Sequence, residues 1–252
     1  MLARILPPGL PDFGDSIPFE GPPAAIENLV IVHGWTLTPD KPEVFKNTAR
    51  HMAQEFNVRA SVPAMPNTDN PVPEEWEDRI DEEIADPAST ILVAQSLAGM
   101  NALRHIAKKK AADPTYELGG LVVVAANVTP VGFPELEAHF DPRLDRFTAL
   151  TAQVARSVRA IALLYGAHDP FVELAHGLLL AYGLGTGIYV DPNEAHFSDE
   201  YRDDKKGIVI PPCTFNRPLA IILSKMIMDA APKGRYGPER GVVLPTYDML
   251  AL

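Results

Sequence analysis

The stretch TILVAQSLAG at residues 90–99 decides how this 252-residue chain is expected to fold. Its first half, residues 90–94, is a short and mainly apolar run that predicts a buried strand. Residues 100–107 then show the apolar spacing of a helix, so Ser96 stands at a strand-to-helix junction. A sharp turn at such a junction raises a serine hydroxyl above the carboxyl end of a sheet and requires small neighbouring residues. The stretch therefore predicts a nucleophile elbow in an α/β fold.

The elbow departs from the usual G-x-S-x-G pattern at both glycine positions. Ala94 and Ala98 stand there instead, and alanine is the least disruptive replacement in a crowded turn. Gly99 gives the turn further room. The alternative is that Ser96 only caps the following helix. We favour a nucleophile because an acid and a histidine follow Ser96 in the order that the chemistry requires.

Short apolar runs alternate with helical patterns along the rest of the chain. Further strands are predicted at residues 29–33, 58–62, 120–126, 160–165 and, as the last strand, 187–190. Further helices are predicted at residues 43–56, 73–84, 170–182 and 217–228. This order predicts an α/β class with a mostly parallel central sheet and helices on both faces. Residues 127–157 lack a strand pattern, and short helices there are expected to form a small cap.

Three segments divide the chain. Residues 26–231 hold the alternating pattern and are predicted to form a single domain, which is large enough to bury a core. Residues 1–25 are rich in proline and lack periodicity, which predicts an N-terminal arm. Residues 232–252 are rich in proline and glycine and predict a C-terminal tail. Either segment could contact a second copy of the chain, so a homodimer through these arms is an alternative to simple surface tails.

A nucleophilic serine needs a neighbouring base, and the base needs a carboxylate that orients it. In hydrolases of this architecture the chain order is serine, acid, histidine. Asp169 lies just past the predicted strand at residues 160–165, and His196 lies just past the strand at 187–190. Because the carboxyl ends of parallel strands share one edge of a sheet, we expect Ser96, Asp169 and His196 to converge there.

Two other acids and two other histidines compete for these roles. Asp191 is close to His196 in sequence, and Asp145 falls in the expected cap. His168 adjoins the candidate acid, so its side chain is expected to point elsewhere. His176 lies inside a helical pattern and is expected to be structural.

Acyl transfer also requires donors for the negative charge that develops on the carbonyl oxygen. The backbone N–H of Leu97, directly after the nucleophile, is the first candidate. The second is the backbone N–H of Trp35 in the loop after the first core strand, where Gly34 lets the backbone approach a substrate. Gly34, Trp35 and Gln95 are the candidate substrate-binding residues, although Trp35 could equally be a plain core side chain.

Five motifs together resemble the α/β-hydrolase superfamily, and within it the small serine hydrolases of the retinoblastoma-binding-protein and YdeN type. They are IVHG at 31–34, MPN at 65–67 followed by Trp76, VAQSLAG at 93–99, DPF at 169–171 and AHF at 195–197. The resemblance spans residues 29–200 and implies an α/β-hydrolase fold with a triad of Ser96, Asp169 and His196. It also implies a compact cytoplasmic hydrolase of carboxylic esters or related acyl compounds.

Composition and charge disfavour several classes of partner. The formal net charge is −11 and the sequence pI about 5.1, and an acidic chain is repelled by nucleic acid. Apolar runs are strand-sized, well below the ~18 residues of a membrane span, so no span is expected. Cys213 is the only cysteine, which excludes an intrachain disulfide and fits a reducing compartment. The expected partner is a small-molecule acyl substrate.

The function predicted from these residues is hydrolysis of carboxylic esters through an acyl-enzyme. This chemistry needs no metal or organic cofactor, and the scattered histidines disfavour a metal site. A thioesterase, amidase or acyltransferase could use the same three residues. A non-catalytic binding protein on the same fold is a further alternative, and it predicts that a member of the triad is missing.

Overall fold

A computed structural model describes most of the chain. The described residues are 3–5, 25–41, 43–141, 143–204, 207–210 and 212–231. Most of the predicted N-terminal arm and the whole of the tail at 232–252 lie outside them, so the predictions for those segments stay predictions.

A seven-stranded sheet forms the centre of the molecule. Its strands are β1 (Ala3–Ile5), β2 (Asn28–Val32), β3 (Arg59–Ser61), β4 (Thr90–Gln95), β5 (Gly120–Val124), β6 (Ile161–Gly166) and β7 (Ile188–Asp191). Their order in the sheet is β1-β7-β6-β5-β4-β2-β3. Strands β2 to β7 are all parallel, and β1 adds an antiparallel edge against β7. The predicted mostly parallel sheet is confirmed.

Within the described residues, six α-helices cover the two faces of the sheet. They are α1 (Glu43–Phe56), α2 (Pro73–Glu83), α3 (Leu97–Ala112), α4 (Leu144–Ala155), α5 (Leu174–Leu184) and α6 (Arg217–Ala230). Helices α1 and α6 share one apolar core with the sheet, and α2 to α5 share the other. Strand β4 contributes side chains to both cores. Leu92 and Ala94 face the core shared with α2 to α5, and Ile91 and Val93 face the core shared with α1 and α6. This alternation explains why residues 91–94 of β4 are all apolar.

The expected cap at 127–157 consists of two helical pieces with different positions. A 3₁₀-helix (Pro134–His139) begins beside Phe133, which lies over the carboxyl end of the sheet near Ser96. Helix α4 instead packs beside α3 and α5 in the helical layer. The first piece therefore shapes the site, and the second completes a face of the sheet.

Two boundary predictions are wrong. Residues 187–190 were expected to form the last strand, but β8 (Tyr201–Asp203) and β9 (Ile208–Ile210) follow as a separate antiparallel pair. Strands of three residues are too short to show alternation in the sequence. The helix expected from residue 170 begins at Leu174, because Asp169 Oδ1 accepts the backbone N–H groups of Phe171 and Val172 and holds a loop there.

Within the described residues, no helix combines the length and the apolar character needed to cross a bilayer.

Candidate active site

Ser96 joins β4 to α3 in a backbone conformation that residues other than glycine seldom adopt. Its φ is 56° and its ψ −126°, and its N–H donates to the Val124 carbonyl at 2.9 Å. Ala94 and Ala98 are fully buried beside it. A Cβ on Gly99 would collide with the Ala126 Cβ, which explains why this turn accepts only small residues. The elbow expected from the sequence is present.

A continuous chain of hydrogen bonds links the predicted nucleophile, base and acid. His196 Nε2 lies 3.1 Å from Ser96 Oγ, and His196 Nδ1 lies 2.7 Å from Asp169 Oδ2. The other carboxylate oxygen, Oδ1, accepts the N–H groups of Phe171 at 2.9 Å and Val172 at 3.0 Å. With the carboxylate accepting at Nδ1, the imidazole carries its proton there and leaves Nε2 free to accept from the serine hydroxyl. The arrangement can abstract a proton from Ser96.

Gln95, the last residue of β4, braces the loops on both sides of Ser96. It is fully buried, its Oε1 accepts the Gly34 N–H at 2.8 Å, and its Nε2 donates to the His196 carbonyl at 3.0 Å. The Phe171 ring meets the His196 ring edge-on at a centroid distance of 5.3 Å. His196, the candidate base, is therefore held by its backbone as well as by Asp169.

The competing residues lie apart from this chain of hydrogen bonds. Asp191 accepts from the Asn216 side chain at 3.0 Å and from the Asn193 N–H at 3.0 Å. Asp145 and His168 are exposed. The Nδ1 of His176 accepts the Val128 N–H at 3.2 Å, so its lone pair is occupied by the backbone.

The two candidate oxyanion donors are the backbone N–H groups of Leu97 and Trp35. Within the described part of the chain, neither the Leu97 N–H nor the Trp35 N–H has a protein acceptor. Leu97 is the first residue of α3, where a helix leaves its N–H groups unpaired. A Cβ on Gly34 would lie 2.5 Å from Gln95 Oε1 and 2.8 Å from Ser96 Cβ, so only glycine lets the loop before Trp35 come this close to Ser96. Their role in catalysis stays a prediction.

Comparison with known proteins identifies the family. The family model for serine hydrolases matches residues 29–202, which is more than half of the chain. The chain belongs to the serine hydrolase family. Among curated proteins, none matches this serine hydrolase in sequence.

Solved structures share the fold of this serine hydrolase. YdeN from B. subtilis superposes with a TM-score of 0.64 at 19% identity, over 80% of this chain and 99% of YdeN. A YdeN-like hydrolase from Pectobacterium atrosepticum gives a TM-score of 0.54 at 13% identity, over 81% and 92% of the two chains. A CIB-like hydrolase from Thermoplasma acidophilum gives 0.52 at 12% identity, over 81% and 86%. The α/β-hydrolase fold and the YdeN-type resemblance are thereby confirmed.

A cavity of about 300 Å³ opens at the serine hydroxyl of this hydrolase. Apolar side chains form most of its wall, namely Trp35, Leu37, Val131, Phe133, Leu136, Phe171 and Val172. Trp35 packs against Phe133 with ring centroids 4.9 Å apart. Of the predicted substrate-binding residues, Trp35 and Gln95 line the cavity and Gly34 does not. Substrate binding by Gln95 stays a prediction, since both ends of its carboxamide already bond to backbone.

Besides Thr36 in the loop after β2, four polar residues of the cavity have no counterpart in the sequence motifs. They are Asn127, Ser198, Asp199 and Glu200. Asn127 lies just past the carboxyl end of β5, and this position in the sequence is the signal that could have identified it as a site residue. The other three lie two to four residues after His196, so the sequence predicts their proximity to the candidate base but not their orientation. The part of the chain that the structure describes contains no cluster of ligands suited to a metal ion.

Proposed function

We propose that this serine hydrolase cleaves carboxylic esters with small acyl groups through a Ser96–His196–Asp169 triad and a covalent acyl-enzyme. The hydrogen bonds of 3.1 Å and 2.7 Å that run from Ser96 through His196 to Asp169 support this proposal most directly. The mainly apolar cavity beside Ser96 supports an acyl substrate, because an alkyl chain loses contact with water on entering it.

The reaction proceeds in two halves. His196 Nε2 takes the proton of Ser96 Oγ, which attacks the ester carbonyl carbon, and the N–H groups of Leu97 and Trp35 bind the resulting oxyanion. His196 then protonates the leaving alcohol as the carbon–oxygen bond breaks. In the second half His196 deprotonates a water molecule, which attacks the acyl-enzyme carbonyl carbon. The protonated His196 then returns this proton to Ser96 Oγ as the acyl carbon–oxygen bond breaks and the acid leaves. Asp169 keeps the Nδ1 proton in place throughout.

Labelling with a fluorophosphonate probe tests the nucleophile. The wild type should be labelled, and Ser96→Ala should lose labelling because Ser96 is the hydroxyl that His196 contacts. Ser198 provides a matched control in the same cavity, since its hydroxyl donates to the Asp199 carbonyl at 3.2 Å. Ser198→Ala should still be labelled. Labelling that survives Ser96→Ala would overturn the proposal.

A matched series of acyl compounds tests the substrate class. The butanoyl group presented as a 4-nitrophenyl ester, a thioester and an anilide separates an esterase from a thioesterase and an amidase. We expect the highest kcat/KM for the ester, and its turnover should require Ser96. A higher kcat/KM for the thioester or the anilide would reassign the reaction to another class that uses the same triad.

A further inference from the structure

Asn127 is a wall residue of the candidate active site and carries a buried hydrogen-bond acceptor. The residue is 1% exposed and lines the same cavity as Ser96 and His196. Its Nδ2 donates to the Thr129 carbonyl at 2.7 Å, which fixes the orientation of the carboxamide because a carbonyl can accept only from the NH₂ end. Its Oδ1 has no partner among the described residues.

A buried acceptor without a partner is unfavourable, and such groups are rare in folded proteins. The cost persists here because Thr129 holds the NH₂ group, so the carboxamide cannot turn to relieve it. A ligand that brings an O–H or N–H group into the cavity would satisfy Oδ1, whereas a ligand with a methyl group at that place would leave it unpaired. Sites of this kind discriminate strongly against analogues that lack the donor.

The charge of the cavity restricts which donors fit. Asp199 and Glu200 are among its lining residues, and its described lining includes no lysine or arginine. Asp199 is held in place by the Glu43 N–H, which donates to its Oδ1 at 3.3 Å. Anionic groups are repelled by these carboxylates, so the donor belongs to a neutral or cationic substrate.

We propose that Asn127 is a specificity-determining residue whose carboxamide oxygen accepts a hydrogen bond from a hydroxyl or amine group of the substrate. The preferred substrates are then neutral or cationic esters that carry such a donor near the scissile bond. This inference rests on the proposed ester hydrolysis, and it adds the chemical class of the substrate.

Two matched pairs of esters test the inference, one for each side of the scissile bond. The acyl-side pair is 4-nitrophenyl 2-hydroxybutanoate against 4-nitrophenyl 2-methylbutanoate. The alcohol-side pair is 2-hydroxyethyl butanoate against propyl butanoate, followed by acid release. The wild type should favour the hydroxyl-bearing ester of one pair by about 10- to 100-fold in kcat/KM. Absence of a preference in both pairs would overturn the role of Asn127.

Asn127→Leu removes the acceptor and should reduce the preferred pair's kcat/KM ratio by at least tenfold. Asn47→Leu is the matched control, because Asn47 also donates through Nδ2 to a loop carbonyl, that of Thr214 at 2.8 Å, but lies outside the cavity. The control should keep the wild-type ratio. A ratio that persists in Asn127→Leu would overturn the inference, and if that variant does not fold, the wild-type ratios alone decide it. If the wild type turns over none of these esters in a way that requires Ser96, the proposed ester hydrolysis itself is overturned.

Discussion

At the scale of single residues, strain and fixed hydrogen bonds lie together at the candidate nucleophile. Ser96 has a positive φ, and such a conformation costs of the order of 1–3 kcal/mol, so surrounding contacts must hold it. The Val124 carbonyl and the close packing of Gly99 against Ala126 supply those contacts. The strain is consistent with a side chain that must project from the sheet edge rather than pack into the core.

Replacing Asp169 by asparagine should invert the imidazole tautomer. The N–H groups of Phe171 and Val172 would keep the amide oxygen where Oδ1 now lies, so the NH₂ group would face His196 Nδ1. Nδ1 would then accept a hydrogen bond, and Nε2 would carry the proton and could no longer accept from Ser96. We expect kcat for 4-nitrophenyl butanoate to fall by roughly 10³- to 10⁴-fold with an unchanged fold.

Asp145→Asn is the control for that measurement, since Asp145 is an exposed residue of α4. Its kcat should stay within about twofold of the wild type, because surface substitutions away from a site have little effect. Near-normal turnover by Asp169→Asn would show that another group orients the base.

At the scale of elements, Gln95 ties the end of β4 to the loops that follow β2 and β7. Gln95→Leu would leave the Gly34 N–H and the His196 carbonyl unpaired in a buried place. The base and the oxyanion loop would shift, so kcat should fall by about 10- to 100-fold while KM changes less than about threefold. If Gln95 acted by binding substrate, KM would rise and kcat would be kept. Steady-state kinetics separate the two outcomes.

A buried histidine between α2 and α3 makes stability depend on pH. Burial lowers the pKa of His105 from 6.5 to about 4. Between these two pH values the imidazole is mostly neutral in the folded protein and mostly protonated in the unfolded chain. Stability that is fully present above pH 6.5 is therefore lost as the pH falls toward 4, by about 3 kcal/mol from this residue. Urea unfolding at pH 7.5 and pH 4.5 measures the change.

His105→Leu should flatten part of that pH dependence, whereas His51→Leu should not. His51 lies on α1, where it is only half-buried and contacts Phe215 edge-on at 5.4 Å. An unchanged pH dependence in His105→Leu would assign the loss of stability to other groups. Burial also lowers the pKa values of His33, His139 and His176, so some pH dependence should remain in every variant.

The elements that the sequence predicted well are those with long apolar signals. Strands β2, β4, β5 and β6 are buried along nearly their whole length, so their apolar runs identified them, and with them the positions of Ser96 and Asp169. The β8–β9 pair and the late start of α5 depend on short strands and on one carboxylate turn. The unpaired oxygen of Asn127 depends on which end of its amide meets Thr129. A contact of that kind has no sequence periodicity and becomes visible only in three dimensions.

At the scale of the whole molecule, the net charge of the chain and the charged residues of the cavity wall have the same sign. The chain carries a formal net charge of −11, and the cavity wall adds Asp199 and Glu200 close to the base. Such a field attracts cations and repels anions before and during binding. The homodimer through the terminal arms stays a prediction, because those arms lie almost entirely outside the described residues.

The relative turnover of two isosteric esters should report this negative electrostatic field. Choline butanoate and 3,3-dimethylbutyl butanoate differ in replacing a quaternary nitrogen by carbon, so their kcat/KM ratio reports charge at nearly constant shape. We expect the cation to be favoured by about 3- to 10-fold at low ionic strength, with the ratio falling as salt screens the carboxylates. The variant Asp199→Asn with Glu200→Gln should lower the ratio at low salt. If the wild-type ratio falls with salt but the double variant has the same ratio as the wild type at low salt, the net charge of the molecule, and not the cavity wall, selects the cation. A wild-type ratio near one would contradict selection by either the net charge or the cavity wall.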